Sequence, residues 1–180
     1  MTRKTLTIFE GVDGSGKTTA AKEYAEAIGA EYVHFSNYPD IVDNELSRIY
    51  LRAMEALIVE RKHVVFDRSW LSEKPYGIVF RGGLYRMHEN AAAELEGYAM
   101  MFDPIVVFCD PGLETCLENY RSRRQLEMLE NEEQLTQVYH LYKTQRTLIP
   151  AVAYNYKTGE NITPAHIEKI RSHFYGQAQL

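Results

Sequence analysis

The sequence predicts an α/β fold in which a parallel β-sheet is flanked by helices on both faces. Short runs of β-branched and aromatic residues alternate with longer amphipathic segments along the chain, an alternation typical of parallel sheets. The first run, LTIF, leads into a glycine-rich loop that is followed by a segment rich in Ala, Lys and Glu. No internal repeat or interdomain linker interrupts the 180 residues. We therefore expect residues 1–180 to form a single domain.

The composition is that of an ordinary globular protein. The formal net charge is −5, and 45% of the residues are hydrophobic and 25% charged, which leaves no surplus of positive charge for sequence-independent binding of nucleic acid. Cys109 and Cys116 are too few for a disulfide framework and lack the spacing of a zinc site, so we expect two buried thiols. Neither a secretory signal nor an apolar run of about 18 residues is evident, which favours a cytoplasmic protein without a membrane partner.

Local patterns predict the individual elements in order. The strands are expected over 6–9, 32–35, 63–66 and 105–109, with a weaker candidate over 152–156. The helices are expected over 18–28, 44–60, 69–79 and 88–101, and three more begin after 112, after 131 and at 163–164. Pro75 should distort the third of these helices. Asn131, with Gln134 three residues later, resembles a capping box, and Thr163-Pro164 resembles a helix start.

The segment Gly11–Thr18 fits the phosphate-loop pattern G-x-x-x-x-G-K-[ST]. Glycines let backbone N–H groups turn toward phosphate oxygens, and the following helix directs the positive end of its dipole to the same place. Lys17 should reach the β- and γ-phosphates, and Thr18 should offer an oxygen to Mg²⁺. A glycine turn with a solvated lysine is the alternative, and it explains neither Lys17 nor the doubled threonine. The loop thus predicts binding of a nucleoside triphosphate such as ATP, with Mg²⁺, by Gly11, Asp13, Gly14, Ser15, Gly16, Lys17, Thr18 and Thr19.

A second candidate segment is VVFDRSW, in which an acidic residue ends a buried strand. Open α/β sheets place their ligand crevice at the carboxyl ends of the strands. Asp67 can therefore hold Mg²⁺, directly or through water, and the Arg68 guanidinium can fork onto a phosphate. The alternative is a surface Asp-Arg pair that ends a strand, which is a weaker explanation beside a phosphate loop.

A lid is predicted over about 121–132, where YRSRRQ precedes the acidic stretch EMLENEE. Phosphoryl transfer spreads negative charge over the moving group, so arginines on a closing lid can stabilise the transition state and exclude water. This makes Arg121, Arg123 and Arg124 candidate catalytic residues. A solvated basic helix end favoured by the helix dipole is the alternative.

Taken together, these segments resemble the thymidylate kinase family of nucleoside monophosphate kinases. FEGVDGSGKTT is similar to the phosphate loop of that family, and DRSWLSEKPYG is similar to its D-R-Y-x-x-S-x-x-A-Y-Q pattern. The resemblance implies a P-loop kinase fold with a short arginine-bearing lid. It also implies that Asp13 lies near the acceptor sugar and acts in catalysis, that Arg68 holds the acceptor phosphate, and that Ser72 and Tyr76 belong to the acceptor site.

The sequence also departs from the family pattern. Pro75 and Gly77 replace the alanine and glutamine after the D-R segment, and the element that the family uses against thymine is missing between residues 40 and 63. Because Gly14 stands where some members carry a cation in the loop, the lid arginines would have to supply that charge. A homodimer is a further implication of the resemblance.

Four aromatic residues are candidates for a platform under the acceptor base, with core packing as the alternative for each. They are Phe35, Tyr38, Trp70 and Tyr76. The six histidines show no metal spacing or catalytic pairing in the sequence, and His34 and His63 are expected to be structural.

The predicted function is transfer of the ATP γ-phosphoryl group to a deoxynucleoside monophosphate. One alternative is a kinase that acts on a hydroxyl of a deoxynucleoside or of a hydroxymethyl pyrimidine, with DNA as a further acceptor. The missing base element and the exposed RGGLYR segment, with Arg81 and Arg86, could admit such a larger substrate. A nucleotide-dependent switch or binding protein is a lesser alternative.

Overall fold

A computed structural model describes residues 4–36, 43–60, 62–123, 131–158 and 162–176. Five strands form one sheet in the order β2-β3-β1-β4-β5. Every neighbouring pair of strands is parallel, which confirms the predicted α/β architecture. The strands are β1 (Leu6–Glu10), β2 (Glu31–His34), β3 (Val64–Asp67), β4 (Ile105–Cys109) and β5 (Ala151–Tyr154).

The described residues form seven α-helices and two short 3₁₀ turns. The helices are α1 (Lys17–Ile28), α2 (Asp43–Val59), α3 (Glu73–Phe80), α4 (Glu89–Ala99), α5 (Leu113–Arg123), α6 (Glu132–Thr144) and α7 (Pro164–Tyr175). The 3₁₀ turns cover Trp70–Ser72 and Met100–Phe102. No described helix is long and apolar enough to cross a membrane.

Capping side chains fix the start of the last two helices. The Asn131 Oδ1 accepts a hydrogen bond from the Gln134 N–H at 2.9 Å, and the Thr163 Oγ1 accepts one from the His166 N–H at 3.2 Å. These contacts satisfy N–H groups that have no partner inside the helix. Both predicted helix starts are confirmed.

The helix predicted over 69–79 is divided differently from the prediction. A 3₁₀ turn at Trp70–Ser72 precedes α3, which begins at Glu73. Pro75 therefore lies in the first turn of α3, where its missing N–H costs nothing, and the irregularity lies before it. Ser69 caps the 3₁₀ turn through its side chain.

Apolar side chains cover both faces of the sheet. On one face, α2 and α4 bury Leu46, Met54 and Leu95 against the strands. On the other face, α1 and α7 bury Ala21, Tyr24 and Ile167. A third cluster lies beside the phosphate loop and joins α3, α5 and α6 through Val12, Tyr76, Cys116, Tyr120, Leu135 and Val138. Both cysteines are buried free thiols, as predicted.

Candidate active site

The phosphate loop follows β1 directly and turns through glycines in the left-handed region. Gly14 has φ 76° and Gly16 has φ 82°, immediately before α1 begins at Lys17. Gly11 has φ 147°, and a Cβ there would lie 2.6 Å from the Cys109 carbonyl oxygen, so the loop approaches β4 too closely for any side chain. The Lys17 amine is buried, 3.3 Å from the Val12 carbonyl oxygen.

Asp13 lies at the centre of the site and joins the loop to the end of β3. Its carboxylate forms an ion pair with Arg68 and lies 3.4 Å from the Lys17 amine. Its other oxygen accepts a hydrogen bond from the Tyr76 hydroxyl at 2.9 Å. Burial alone would raise the pKa of Asp13, but Arg68 and Lys17 outweigh it and hold that pKa below the usual value. Asp13 is thus an ionised group between two cations.

Arg68 is held in an unusual backbone conformation. Its φ is 72°, although it is not a glycine, and strain of this kind gathers at functional sites. The guanidinium lies 4.8 Å from the centre of the Tyr76 ring. The Arg68 Nη1 is buried and has no hydrogen-bond partner among the described residues. One donor edge of this arginine is therefore available for a ligand.

Asp67 ends β3 beside the first turn of α1. Its Oδ2 accepts a hydrogen bond from the Tyr32 hydroxyl and pairs with His34 Nδ1, both at 2.8 Å. Burial would raise the pKa of Asp67, but Lys17 and hydrogen bonds that include one from Thr18 lower it. The structural role expected for His34 stays a prediction, and its contact with Asp67 is what the structure adds. Its side chain is 44% exposed at the carboxyl edge of the sheet.

The chemistry around Asp67 suits a divalent cation. The Asp67 Oδ1 is buried and has no hydrogen-bond partner in the described part of the chain. The Thr18 hydroxyl lies against the same carboxylate. Within the described ranges, no group of three or more His, Cys, Asp or Glu side chains could enclose a metal. Mg²⁺ typically uses one or two protein oxygens together with substrate phosphates and water, so Asp67 and Thr18 fit it.

A narrow cleft opens beside Arg68, between β3 and α3. It is lined by Phe35, Ser36, Tyr50, Arg68, Ser69, Ser72, Glu73, Tyr76, Arg81 and Arg86. Arg86 forks onto Glu73 with contacts of 3.0 and 2.7 Å, and Arg81 reaches the same carboxylate at 3.1 Å. The free volume is about 40 Å³, enough for water but not for a nucleotide. With the described side chains in these positions, the cleft is too narrow for an acceptor nucleotide.

The predicted aromatic platform is divided between the cleft and the core. Phe35 and Tyr76 are buried and line the cleft. Trp70 is 2% exposed and packs edge-on against Tyr50 at 5.7 Å, on the core side. Tyr38 lies outside the described residues.

Ser72 connects the cleft to a buried acid that the sequence reasoning missed. Its hydroxyl donates to Glu10 Oε2 at 2.8 Å, and the Ser69 hydroxyl donates to Oε1 at 2.7 Å. The Tyr142 hydroxyl from α6 completes the set at 3.0 Å. Burial raises the pKa of Glu10, and these hydrogen bonds only partly oppose it. Glu10 thus links β1, the cleft and the helix that follows the predicted lid.

The predicted lid arginines are only partly described. Arg121 lies on the surface, where it contacts Glu114 at 3.2 Å and Glu132 at 2.8 Å. The Arg123 side chain and the whole of Arg124 lie outside the described residues, as do residues 125–130. The catalytic role of these arginines stays a prediction.

Three further side chains at the site were not singled out from the sequence. Glu73 lies two residues before Pro75, inside the DRSWLSEKPYG segment. Its place in that segment was the signal that could have identified it. Asn119 and Tyr156 carried no such signal, because they meet the loop only through the folded chain. The Asn119 Nδ2 donates to the Gly14 carbonyl oxygen at 2.7 Å and to the Tyr156 hydroxyl at 2.9 Å.

Comparison with known proteins supports the fold. A family model for Polyphosphate kinase 2 matches residues 1–79, which is less than half of the chain. No curated protein matches. A solved structure of the YorR protein from Bacillus subtilis, in complex with phosphorylated GDP, has a TM-score of 0.70 and 17% identity and covers 95% of this chain and 98% of that chain.

Two further solved structures share the architecture. Deoxyadenosine kinase from M. mycoides has a TM-score of 0.53 and 17% identity and covers 96% of this chain and 100% of that chain. A gluconokinase from Sinorhizobium meliloti has a TM-score of 0.57 and 16% identity, with 98% of each chain covered. These comparisons do not confirm the thymidylate kinase subtype. The chain has the P-loop kinase fold, which nucleotide and sugar kinases share.

Proposed function

We propose that this protein is a P-loop phosphotransferase that moves the γ-phosphoryl group of ATP onto a deoxynucleoside monophosphate. The observation that carries the proposal is the position of Asp13, whose carboxylate contacts Lys17 of the phosphate loop and Arg68 of the cleft. A donor on the loop and an acceptor in the cleft would therefore meet at this residue.

The donor side follows from the loop. Backbone N–H groups and Lys17 would hold the triphosphate, and the dipole of α1 adds positive potential. Thr18 and Asp67 would hold Mg²⁺, which neutralises charge on the phosphate oxygens. The ionised state of Asp67 supports this assignment, because a carboxylate must be deprotonated to bind a cation.

The acceptor side follows from the charge of the cleft. Three arginines and one glutamate line it, so an anionic group would be favoured there. Arg68 carries the buried unpartnered Nη1 and can form a forked contact with a phosphate. We propose that the acceptor phosphate displaces Asp13 from Arg68, which opens the cleft and releases the Asp13 carboxylate toward the acceptor sugar.

The reaction needs no covalent enzyme intermediate. A phosphate oxygen of the acceptor attacks the γ-phosphorus, and the bond to the oxygen that bridges the β- and γ-phosphates breaks with its electron pair leaving on ADP. Lys17 and Arg68 would offset the negative charge that spreads over the moving group. Arg121, Arg123 and Arg124 stay proposed contributors from the lid.

The geometry gives less support to an acceptor within DNA. That alternative depends on the missing base element and on Arg81 and Arg86 in an exposed turn, and the structure bears on the arginines. Both arginines point inward to Glu73, and the Arg86 side chain is only 14% exposed. Of the structural neighbours, one holds phosphorylated GDP and one is named for phosphorylating a deoxynucleoside, so their names favour a free nucleotide or nucleoside over DNA as the acceptor.

The test is a transfer assay with labelled Mg-ATP and separate acceptors. We would offer the deoxynucleoside monophosphates, free deoxynucleosides, gluconate, inorganic polyphosphate, and DNA with and without hydroxymethyluracil. Label in one nucleoside diphosphate supports the proposal and identifies the base. Label only in a nucleoside, in a sugar or in DNA would contradict it, as would hydrolysis without transfer.

Replacement of Lys17 tests the donor side of the site. We expect Lys17→Ala to lower the transfer rate by at least about 100-fold, because a cation next to the moving group is lost. The matched control is Lys22→Ala, which removes an exposed lysine from the same helix and should leave the rate unchanged. A Lys17→Ala enzyme with normal turnover would contradict the proposal.

A further inference from the structure

The tip of the phosphate loop is held from outside by two side chains, Asn119 of α5 and Tyr156 of the turn after β5. The two N–H groups of the Asn119 amide can donate to the Gly14 carbonyl oxygen at 2.7 Å and to the Tyr156 hydroxyl at 2.9 Å. One side chain thus connects the loop, the lid-side helix and the end of the sheet. We call Asn119 and Tyr156 the loop clasp.

The backbone around the clasp is close-packed. A Cβ on Gly14 would lie 2.7 Å from the Cys116 carbonyl oxygen and 3.2 Å from the Asn119 Cβ. A Cβ on Gly16 would lie 3.0 Å from two ring atoms of Tyr156. The glycines therefore serve close approach as well as the positive φ, and the clasp touches the loop on both sides of Ser15.

The clasp fixes the orientation of a peptide plane. Because a peptide unit is planar and trans, the plane held at the Gly14 carbonyl also carries the Ser15 N–H, which donates to the Val12 carbonyl oxygen at 3.2 Å. That plane stands at the tip of the loop, one residue before Gly16 and two before Lys17. The plane is therefore held from both sides, and it precedes the Gly16 and Lys17 N–H groups at the start of α1, where phosphate-binding loops present preorganised N–H groups.

The Tyr156 ring is itself held in place. Asn155 Oδ1 accepts from the Lys157 N–H at 2.9 Å, and the Thr158 hydroxyl donates to the Asn155 carbonyl at 3.0 Å. The Lys157 amine lies 5.9 Å from the centre of the Tyr156 ring. A hydrogen-bonded turn thus carries Tyr156.

We propose that Asn119 and Tyr156 are positioning residues that hold the phosphate loop in its nucleotide-binding geometry and couple it to α5, which carries Arg121. The proposal rests on the proposed function in one respect, that the loop binds a nucleoside triphosphate. If Asn119 and Tyr156 had only a structural role, their loss would lower the stability of the protein. If they position the loop, their loss lowers nucleotide affinity without a matching loss of stability.

The experiment measures the Kd for Mg-ADP by calorimetry and the KM for ATP and for the acceptor. The variants are Asn119→Ala, Tyr156→Phe, which keeps the ring and removes the hydroxyl, and the double variant. The control is Glu118→Ala, an exposed neighbour on the same helix. The melting temperature of each nucleotide-free variant is measured alongside.

We expect Asn119→Ala to raise the Kd for Mg-ADP by about 10-fold and Tyr156→Phe by about 3-fold, as for losses of one or two hydrogen bonds. The double variant should equal Asn119→Ala, because the two side chains act through one contact. The KM for ATP should follow the Kd, and the KM for the acceptor and the melting temperature should stay near those of Glu118→Ala.

An unchanged Kd for Mg-ADP in Asn119→Ala would overturn the proposed positioning role. A change in Kd that is matched by a large fall in melting temperature would also overturn it. Absence of any Mg-ADP binding to the wild-type protein is a different result. It would overturn the proposed function and, with it, the clasp.

Discussion

Arg68 carries the clearest residue-level conflict between local preference and tertiary structure. A left-handed conformation is unfavourable for a residue with a Cβ, yet φ is 72° here. The Arg68 N–H donates to the Phe9 carbonyl at 2.9 Å, and the guanidinium pairs with Asp13. These contacts turn the side chain away from the strand direction and toward the phosphate loop. The strained backbone conformation thus places the Arg68 guanidinium where the phosphate loop meets the cleft.

Arg68→Lys should impair acceptor binding selectively. Lysine keeps the charge but cannot fork onto a phosphate, so we expect the KM for the acceptor to rise by about 10-fold, the value of one or two lost charge-assisted hydrogen bonds. The Kd for Mg-ADP should stay unchanged. Steady-state kinetics with the acceptor varied would measure this. Arg52→Lys, an exposed arginine of α2, is the control, and an equal rise in both variants would contradict the prediction.

The raised pKa of Glu10 predicts how the free energy of unfolding changes with pH. Burial raises its pKa above the usual value of 4.5. Between that value and the folded-state pKa, the folded protein keeps a proton that the unfolded chain has released. The free energy of unfolding therefore falls as pH rises through this window.

Glu10→Gln should remove this pH dependence. Glutamine cannot ionise, so the stability of the variant relative to wild type should increase as pH rises above about 4.5. Urea denaturation at a series of pH values would measure the change, with Glu23→Gln on the exposed face of α1 as the control. Parallel curves for Glu10→Gln and wild type would contradict the prediction.

At the scale of elements, α6 depends on a cap that the sequence revealed. Asn131 begins the helix, and Leu135, Val138 and Tyr142 then bury one face against α3 and α5. Tyr142 also reaches Glu10. The start of this helix therefore affects a contact inside the active-site region.

Asn131→Ala should lower the free energy of unfolding by about 1 kcal/mol, because the Gln134 N–H loses its acceptor. Asn131→Asp keeps an oxygen acceptor and should cost little. Chemical denaturation of the two variants measures the difference. Equal losses in both would mean that the cap is not the cause.

The positions of the strands and of the phosphate loop could be predicted from the sequence because the patterns that indicate them are local. The strands lie within two residues of their expected positions, and the phosphate loop is read from its spacing alone. The contacts of Glu10 with Tyr142 and of Asn119 with Gly14 join residues 132 and 105 positions apart. No local pattern contains such pairs. The D-R-S segment showed Asp67 and Arg68, but not the Asp13 carboxylate between Arg68 and Lys17.

The RGGLYR segment shows the same limit within one turn. The segment has the sequence of an exposed basic turn, and the tip of the turn is indeed exposed. The Leu84 residue is 74% exposed. Gly82 and Gly83 have φ of 58° and 87°, and these conformations bring Arg81 and Arg86 back to Glu73. The direction of an arginine depends on the turn geometry, which composition does not specify.

At the scale of the whole molecule, the candidate active site and the buried contacts of Arg171 lie at opposite ends of the strands. The candidate active site lies at the carboxyl edge, where β1 ends at Glu10. At the opposite edge, Arg171 of α7 donates to the Asp103 carbonyl at 2.8 Å and to the Thr7 hydroxyl at 2.8 Å. The strand separates these edges by about 13 Å at 3.3 Å per residue.

Arg171→Ala should therefore destabilise the protein without changing its chemistry. The side chain is 4% exposed, and its loss removes the guanidinium donor from the Asp103 carbonyl and from the Thr7 hydroxyl. We expect the free energy of unfolding to fall by about 2 to 4 kcal/mol. Lys169→Ala, which removes an exposed lysine from the same helix, should cost almost nothing.

The decisive comparison sets Arg171→Ala against Lys17→Ala. Well below its melting temperature, the Arg171 variant should keep the wild-type transfer rate per folded molecule, whereas the Lys17 variant should keep stability and lose transfer. Denaturation curves and single-turnover rates on the same preparations would test both halves. A folded Arg171 variant with slow transfer would mean that the far edge of the sheet controls the site, because the strand would then transmit a change in α7 packing to the loop that follows Glu10.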